Sequence, residues 1–463
     1  MRGDVVETIS FQIAEWLRGV KLGALPASVV EGAKLRVMDL TGVMLAAKDL
    51  KVVKSARAAW SDTEAGGQIT PVGSKEKTAL TTAAFLNGIQ ASAMEFDDTY
   101  LPTTMHATGL ALSVCFPEAQ RRPISGQKLV EAVLIASEMM IRLSIVTNRH
   151  WFDYGIHPTG SFGVFGGVCA LGKLRGLDTM QIVHALGHAG SMSTALTAAF
   201  EDGTSTKNLH VGLAAANAFR AIALAEQGIT GPTAVFEGKF GWYRSSVQTE
   251  DERHYERVTT ELGQEWLTEH IATKLYPVAN PLMPHIEATI TLRDKYQITP
   301  DQVAGIDAYI KERSFLTLCN PPEKKRRPLT TWHGRISIYH TIAEALVKGK
   351  MDKYAYSEEA IRDPVINGLA DMVQPYPDPE ATDYLRSQGR VVIHLKDGRS
   401  VEHKIDDFRG TRRNPLRVED YINKFRANVG DLFPESVVER AIEGFLNLET
   451  QKDIAPLLQS LES

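Results

Sequence analysis

Cysteine is scarce in this chain of 463 residues: Cys115, Cys169 and Cys319 lie far apart and form no CxxC pair. That spacing gives no disulfide framework and disfavours a zinc ribbon or an iron–sulfur site. The three read as small buried apolar residues of a reducing compartment. Long hydrophobic runs are also missing. No stretch of about 18 apolar residues occurs, so no membrane partner is expected. The first residues, Met1 to Leu22, mix apolar side chains with Asp4, Glu7, Glu15 and Arg18 and do not read as a signal peptide. A cytoplasmic location is the expectation. Basic residues are not in excess: 51 Lys and Arg against 56 Asp and Glu leave a net charge of −5, which argues against a nucleic-acid partner. An anionic ligand must then be held by Lys, Arg and His gathered locally. No repeat of about 20–50 residues marks a solenoid.

What is present fits a globular protein large enough for two or three domains, or one large core with a second lobe. From about Val5 to Glu269 the sequence reads as helix after helix. Pro26-Ala27-Ser28 is a helix start, followed by Val30, Ala33, Val37, Leu40 and Val43 at helical spacing. Segments 78–95, 124–146, 160–175, 178–199 and 207–227 repeat the pattern with many Ala, Leu and Gly, which suits close buried packing. After Lys274 the texture changes. Val303–Ile310 alternates as a strand, and Arg390–Leu395 and Ser400–Lys404 flank Asp397-Gly398 as a hairpin. Residues 334–349 and 357–373 read as helices, and 417–460 returns to helix. The expected fold is mainly α: a large helical domain built from both chain ends (1–271 and 411–463), with an α+β domain (272–410) inserted between them.

Four polar clusters carry the candidate chemistry. In Glu95-Phe96-Asp97-Asp98-Thr99, with His106 seven residues on, three carboxylates follow an apolar helix (Ala83 to Met94). Buried together they would repel, so either one is protonated, a cation sits beside them, or the segment is a solvated turn. No second ligand set at diagnostic spacing supports a metal there. His157-Pro158-Thr159-Gly160-Ser161 opens a Gly- and Ala-rich helix. It reads either as an anion site with an acid/base group or as a structural histidine. Gly160, Gly163, Gly166 and Gly167 match neither a P-loop nor a dinucleotide fingerprint and read as packing residues. In Thr204-Ser205-Thr206-Lys207-Asn208-Leu209-His210, Ser and Thr supply an N-cap. Lys207 opposes the helix dipole there unless an anion shares the site. Lys274-Leu275-Tyr276-Pro277 lies where the texture changes, a favoured pocket position. The run Lys324-Lys325-Arg326-Arg327 reads as a carboxylate clamp or as a solvated loop.

In order and spacing these clusters resemble the MmgE/PrpD family over nearly the whole chain. The resemblance is carried by Leu25-Pro26, Met38-Asp39-Leu40-Thr41-Gly42, Ala84-Phe85-Leu86-Asn87-Gly88 and Phe96-Asp97-Asp98-Thr99. It continues through His157-Pro158-Thr159-Gly160, Lys173-Leu174-Arg175-Gly176-Leu177-Asp178 and Lys207-Asn208-Leu209-His210-x-Gly212. Gly228-Ile229-Thr230-Gly231-Pro232, Lys274-x-Tyr276-Pro277 and Asn414-Pro415 complete it. The family includes 2-methylcitrate dehydratases, cis-aconitate decarboxylases and iminodisuccinate epimerases. The resemblance implies a helical domain with an α+β lid, a homodimer, a pocket between the domains, and no cofactor or metal.

It also implies a small polycarboxylate substrate. His157, His106, Lys207 and Thr99 would form the catalytic set, and Glu95, Asp97, Asp98, His210, Lys274 and Tyr276 the substrate-binding set. Two departures stand out: Ala107, not proline, follows His106, and Glu323 or Lys324 falls near the position of a tyrosine found in decarboxylase pockets. The implied activity is a lyase, dehydratase or decarboxylase, working through a carboxylate-stabilised carbanion. The alternatives are an epimerase of an iminodisuccinate-like dicarboxylate and a non-catalytic helical binding protein.

Overall fold

The computed structural model describes residues 7–61, 64, 66–381, 383 and 386–462; Asp4, Val5 and Val6, which enter the reading of the N-terminus, lie outside them. The chain is mainly helical. Its first half holds α1 (Ile9–Gly19), α2 (Ala27–Ala47), α3 (Lys51–Ser61), α4 (Leu80–Ser92), α5 (Ala107–Ala119) and α6 (Gly126–Ser144). There follow α7 (Pro158–Arg175), α8 (Thr179–Met192), the one-turn α9 (Ala199–Asp202) and α10 (Thr206–Glu226). Local signals set several ends. Pro158 occupies the first turn of α7 and Gly176 closes it at φ 64. Ser125 accepts from the Lys128 N–H at the start of α6, and Asp178 with Gln181 forms a capping box on α8.

The helices that carry the polar clusters are buried along most of their length, and small residues make this possible. A Cβ on Gly88 would stand 2.4 Å from the Gly212 nitrogen, and one on Gly167 2.6 Å from the Ala218 Cβ. Thus α4 and α7 each lie against α10 at a separation that only glycine allows. The sequence reading of Gly160, Gly163, Gly166 and Gly167 as packing residues holds: a Cβ on any of them would come within about 3 Å of a neighbour.

Two hydrophobic cores dominate. The larger gathers side chains from Ile9 to Ile271 and again from Phe425 to Leu461. The other runs from Ala272 to Phe408 and takes in Ala199. Within the second lies a four-stranded sheet of β3 (Val303–Ile310), β4 (Val373–Pro377), β5 (Gly389–Leu395) and β6 (Ser400–Ile405), in the order β4-β3-β5-β6. Only the β3–β4 pair is parallel. The β5–β6 hairpin turns at Asp397-Gly398, with Gly398 at φ 88, and the strand at Val303–Ile310 is where the alternation predicts it.

Several boundaries differ from the sequence reading. The helix expected over 334–349 begins at Ile338, capped by Ser337, after a separate turn at Thr331–Arg335. The one expected over 357–373 is cut at Pro364, where Asp363 ends one helix and caps the next. Pro434 likewise separates Val418–Val429 from Glu435–Leu446. One small ladder was not foreseen: β1 (Thr99–Tyr100) pairs antiparallel with β2 (Ile271–Ala272), Thr99 opposite Ala272. It joins the acidic segment to the chain just before Lys274. Among the described residues no helix is long and apolar enough to cross a membrane.

Candidate active site

Three separate stretches of chain converge on Glu95. This residue follows α4 in the left-handed backbone region, φ 51, a conformation that costs a non-glycine residue about 1–2 kcal/mol. Its carboxylate is ion-paired with Lys207 in the first turn of α10. The Lys274 Nζ stands 3.6 Å from Glu95 Oε2 and 3.7 Å from Asp97 Oδ1, and donates to the Glu95 carbonyl at 3.1 Å. The indole N–H of Trp332 donates to Glu95 Oε1 at 3.1 Å. Burial alone would raise the Glu95 carboxyl. The charges of Lys207 and Lys274 outweigh it and hold the group well below the usual carboxylate range.

This arrangement decides two questions the sequence leaves open. The carboxylates do have cations beside them, and the anion that reconciles Lys207 with the helix dipole is the protein's own Glu95. The expected N-cap is not made, however: Ser205 occupies that position without a side-chain hydrogen bond to the helix.

The turn between β1 and α5 folds His106 back under the acidic segment. The Tyr100 N–H donates to the Met105 carbonyl at 2.8 Å, with the reverse bond at 3.1 Å. The His106 Nδ1 is 2.8 Å from the Asp98 carbonyl, 3.1 Å from Thr99 Oγ1 and 3.4 Å from Asp97 Oδ2. A carbonyl only accepts, so Nδ1 carries the proton and Nε2 presents a lone pair. The His106 N–H donates to Thr159 Oγ1 at 3.1 Å, which ties this turn to the start of α7. Burial, together with Lys274 and Lys207 and against the pull of Asp97, lowers His106 to about 4.

His157 stands at the N-cap of α7 without a capping bond. Its Nδ1 faces the His210 Nδ1 at 3.0 Å, so one ring donates and the other accepts when both are neutral. Burial, then the His210 and Lys207 charges, lower His157 well below its ordinary value, and burial with Lys207 lowers His210 to about 4. Gly160 makes the pairing possible, since a Cβ there would come within 2.9 Å of the His210 Cβ. Among the described residues the buried His157 Nε2 has no hydrogen-bond partner. The rings of His106 and His157 lie 6.5 Å apart between centroids.

Asp98 faces the other way. Its carboxylate accepts from the Thr108 N–H at 3.4 Å and stands 3.9 Å from the Arg36 guanidinium. Burial, against the Arg36 charge, pushes it up to about 6. Nine of the ten expected site residues therefore lie in one buried cluster: Glu95, Asp97, Asp98, Thr99, His106, Lys207 and Lys274 are joined by hydrogen bonds and ion pairs, and the His157–His210 pair lies beside them. Tyr276 stands apart. It packs on the second core, its charged neighbours are Glu287 and Arg409, and among the described residues no hydrogen bond joins its hydroxyl to the cluster.

The basic run is not a loop but lies on a short helix, Pro322–Arg326, with Lys324 and Arg327 exposed. Lys325 is buried and donates to the Ile336 carbonyl, Arg326 lies over the Tyr339 ring, and Arg327 pairs with Asp371. Trp332 and Arg36 were missed: their partners, Glu95 and Asp98, lie far off in the chain, and nothing in their local sequence marks them. Thr159, read only as part of the helix start at His157-Pro158-Thr159-Gly160-Ser161, accepts from the His106 N–H across 53 residues.

Chemically, the cluster combines two ammonium groups, a charged carboxylate and three histidines that are neutral at pH 7. One histidine has its tautomer fixed by a carbonyl, and another has an unpaired ring nitrogen. Among the described residues no group of three or more His, Cys, Asp or Glu is placed to hold a metal ion. A cavity of about 210 Å³ is lined by Phe96, Leu275 and Lys424, neighbours of Glu95 and Lys274 in the chain and of Asp39 across it.

Comparison with known proteins gives a consistent result. Residues 11–254 match the MmgE/PrpD N-terminal domain and residues 276–450 the MmgE/PrpD C-terminal domain. The chain is 27% identical to the cis-aconitate decarboxylase of Homo sapiens, over 99% of this chain and 95% of the relative. It is 26% identical to the cis-aconitate decarboxylase-like protein oryM of Aspergillus oryzae, over 97% and 96%. With the cis-aconitate decarboxylase of Aspergillus terreus it shares 25%, over 98% and 96%.

Proposed function

The chain belongs to the MmgE/PrpD family, and from that premise we propose that it is a cofactor-independent lyase, a decarboxylase or dehydratase, acting on a small di- or tricarboxylate. The relatives named above support the lyase class. The observation that carries the mechanism is the pairing of histidines that have free Nε2 atoms (His106 by its tautomer, His157 by its lack of a partner) with two buried lysines.

In this reading Lys207 and Lys274 hold substrate carboxylates. Loss of CO₂ leaves its bonding electron pair on carbon. Dehydration instead begins when a histidine Nε2 takes a proton next to a carboxylate, and hydroxide leaves with a proton. In both cases negative charge builds on carbon and spreads into the adjacent carboxylate, where fixed ammonium groups in a water-poor site stabilise it most. The imidazolium formed at His106 has Asp97 at 3.4 Å to balance it. His106 and His157 transfer protons, a contribution of about 10²–10⁴-fold, while Thr99 and Asp98 hold His106 in register. A substrate carboxylate also offsets the lysine charges that lower the histidines, so their proton affinity rises on binding. Closure of the α+β unit as a lid, and a homodimer, belong to the same proposal.

One observation favours a second reading, an epimerase: two neutral rings at different helix starts lie 6.5 Å apart between centroids, and two-base proton transfer across one carbon needs two such groups. Proton NMR in D₂O with cis-aconitate, 2-methylcitrate, citrate and iminodisuccinate separates the two. A product lacking CO₂ or water supports the lyase. Deuterium exchange or inversion on an unchanged skeleton supports the epimerase. Full turnover by both His157→Ala and Lys207→Ala would remove the site assignment.

A further inference from the structure

Both lysines of the cluster stand at the Glu95 carboxylate, Lys274 shared with Asp97 at 3.7 Å. Lys207 and the Trp332 indole share its Oε1, and Lys274 stands 3.6 Å from its Oε2. These are the same two lysines that the proposed function assigns to substrate carboxylates, and one anion cannot hold them while another takes their place. At the same time the His157 Nε2, 1% exposed as a residue, has no hydrogen-bond partner among the described residues. The His157 ring nitrogen is thus left without a partner while both lysines already have a side-chain anion.

We infer that Glu95 is an internal anion that occupies the place of one substrate carboxylate, so that ligand binding exchanges the Glu95 carboxylate for that of the ligand. The inference rests on the reading that this pocket takes a polycarboxylate. It also assigns Glu95 a role in specificity. The exchange favours ligands with enough carboxylates to satisfy both lysines at once, and a monocarboxylate recovers less than Glu95 gives up. Glu95 lies past the last residue of α4, in a left-handed backbone conformation, φ 51. Trp332 belongs to the second core, whereas Lys207 belongs to α10. Withdrawal of Glu95 therefore also removes one polar link between the two cores.

The test is isothermal titration of the full chain with propane-1,2,3-tricarboxylate, an unreactive probe, and with acetate as a monocarboxylate control. In Glu95→Gln the lysines lose their internal competitor, and the probe's Kd is expected to fall by about tenfold or more, a difference of about 1.4 kcal/mol. Acetate gains less. An unchanged or higher Kd for the tricarboxylate overturns the inference, as does absence of binding to both proteins.

Glu95→Gln leaves two buried ammonium groups uncompensated and is expected to lower Tm, so ligand-induced Tm elevation is read alongside. It should exceed that of the native chain, and an equal or smaller elevation counts against the exchange. If Glu95→Gln does not fold, Glu95→Asp keeps the charge but shortens the reach by one methylene. About threefold tighter binding then supports the exchange, and equal or weaker binding overturns it. Turnover is scored separately. Tighter binding without reaction on any polycarboxylate leaves this inference standing and removes the lyase reading.

Discussion

At His106 the carbonyl of Asp98 decides which nitrogen carries the proton, and burial beside Lys274 and Lys207 decides how weakly the ring holds a second one. With its value near 4, well under the ordinary 6.5, the ring remains a competent base far into acid. The acid limb of kcat/KM for the free enzyme is therefore expected below pH 6, and a limb at 6.5 would mean that another, solvated group limits the reaction. The same depression makes the native ring bind protons less readily than the unfolded one. Its contribution to stability is complete above about pH 6.5 and is lost as pH falls toward 4, at up to about 1.4 kcal/mol per pH unit. Urea midpoints measured across that range should fall with pH in the native chain and fall less in His106→Gln.

At the scale of elements, the site is set by how closely helices approach. Glu95 follows the end of α4 and Lys207 opens α10, and the two helices meet where Gly88 faces Gly212. A methyl group on Gly88 would overlap the Gly212 backbone at 2.4 Å, and backbone does not yield as a flexible side chain does. Gly88→Ala is expected to cost about 1–3 kcal/mol by thermal or urea unfolding and to lower turnover as well, because Glu95 and Lys207 move apart. Gly176→Ala, at an open helix end with φ 64, should lose a smaller amount of stability through backbone strain and leave turnover intact.

At the scale of the whole molecule, two cores meet at the site, and polar contacts tie them there. Trp332 to Glu95 is one, and the β1–β2 ladder that brings Lys274 beside Asp97 is another. Trp332→Phe keeps the aromatic packing against Phe200 but removes a hydrogen bond to a charged acceptor, about 1.5–3 kcal/mol. Amide exchange at Thr331–Arg335 should accelerate while the interior of α7 stays protected. Equal acceleration in both would mean that the variant loosens the fold globally and that Trp332 is no local tie.

Period and punctuation fixed most of the helices before any tertiary contact was known. The 3.6-residue pattern of α2, the proline at the start of α7 and the Asp-Gly turn of the β5–β6 hairpin are local signals, and each holds within a residue or two. Glu95, His157 and Lys207 were legible as candidates because their local setting is uncomfortable: clustered carboxylates, a histidine at a helix start, a lysine against a dipole. What the tertiary structure alone decided is who answers each discomfort. Glu95 meets Lys207 across 112 residues and Trp332 across 237, and Tyr276, two residues from Lys274, packs elsewhere. The sequence carries propensities that act over one or two turns of chain. Charge pairing, burial and ring tautomers depend on distances in space, which exist only once the helices have packed.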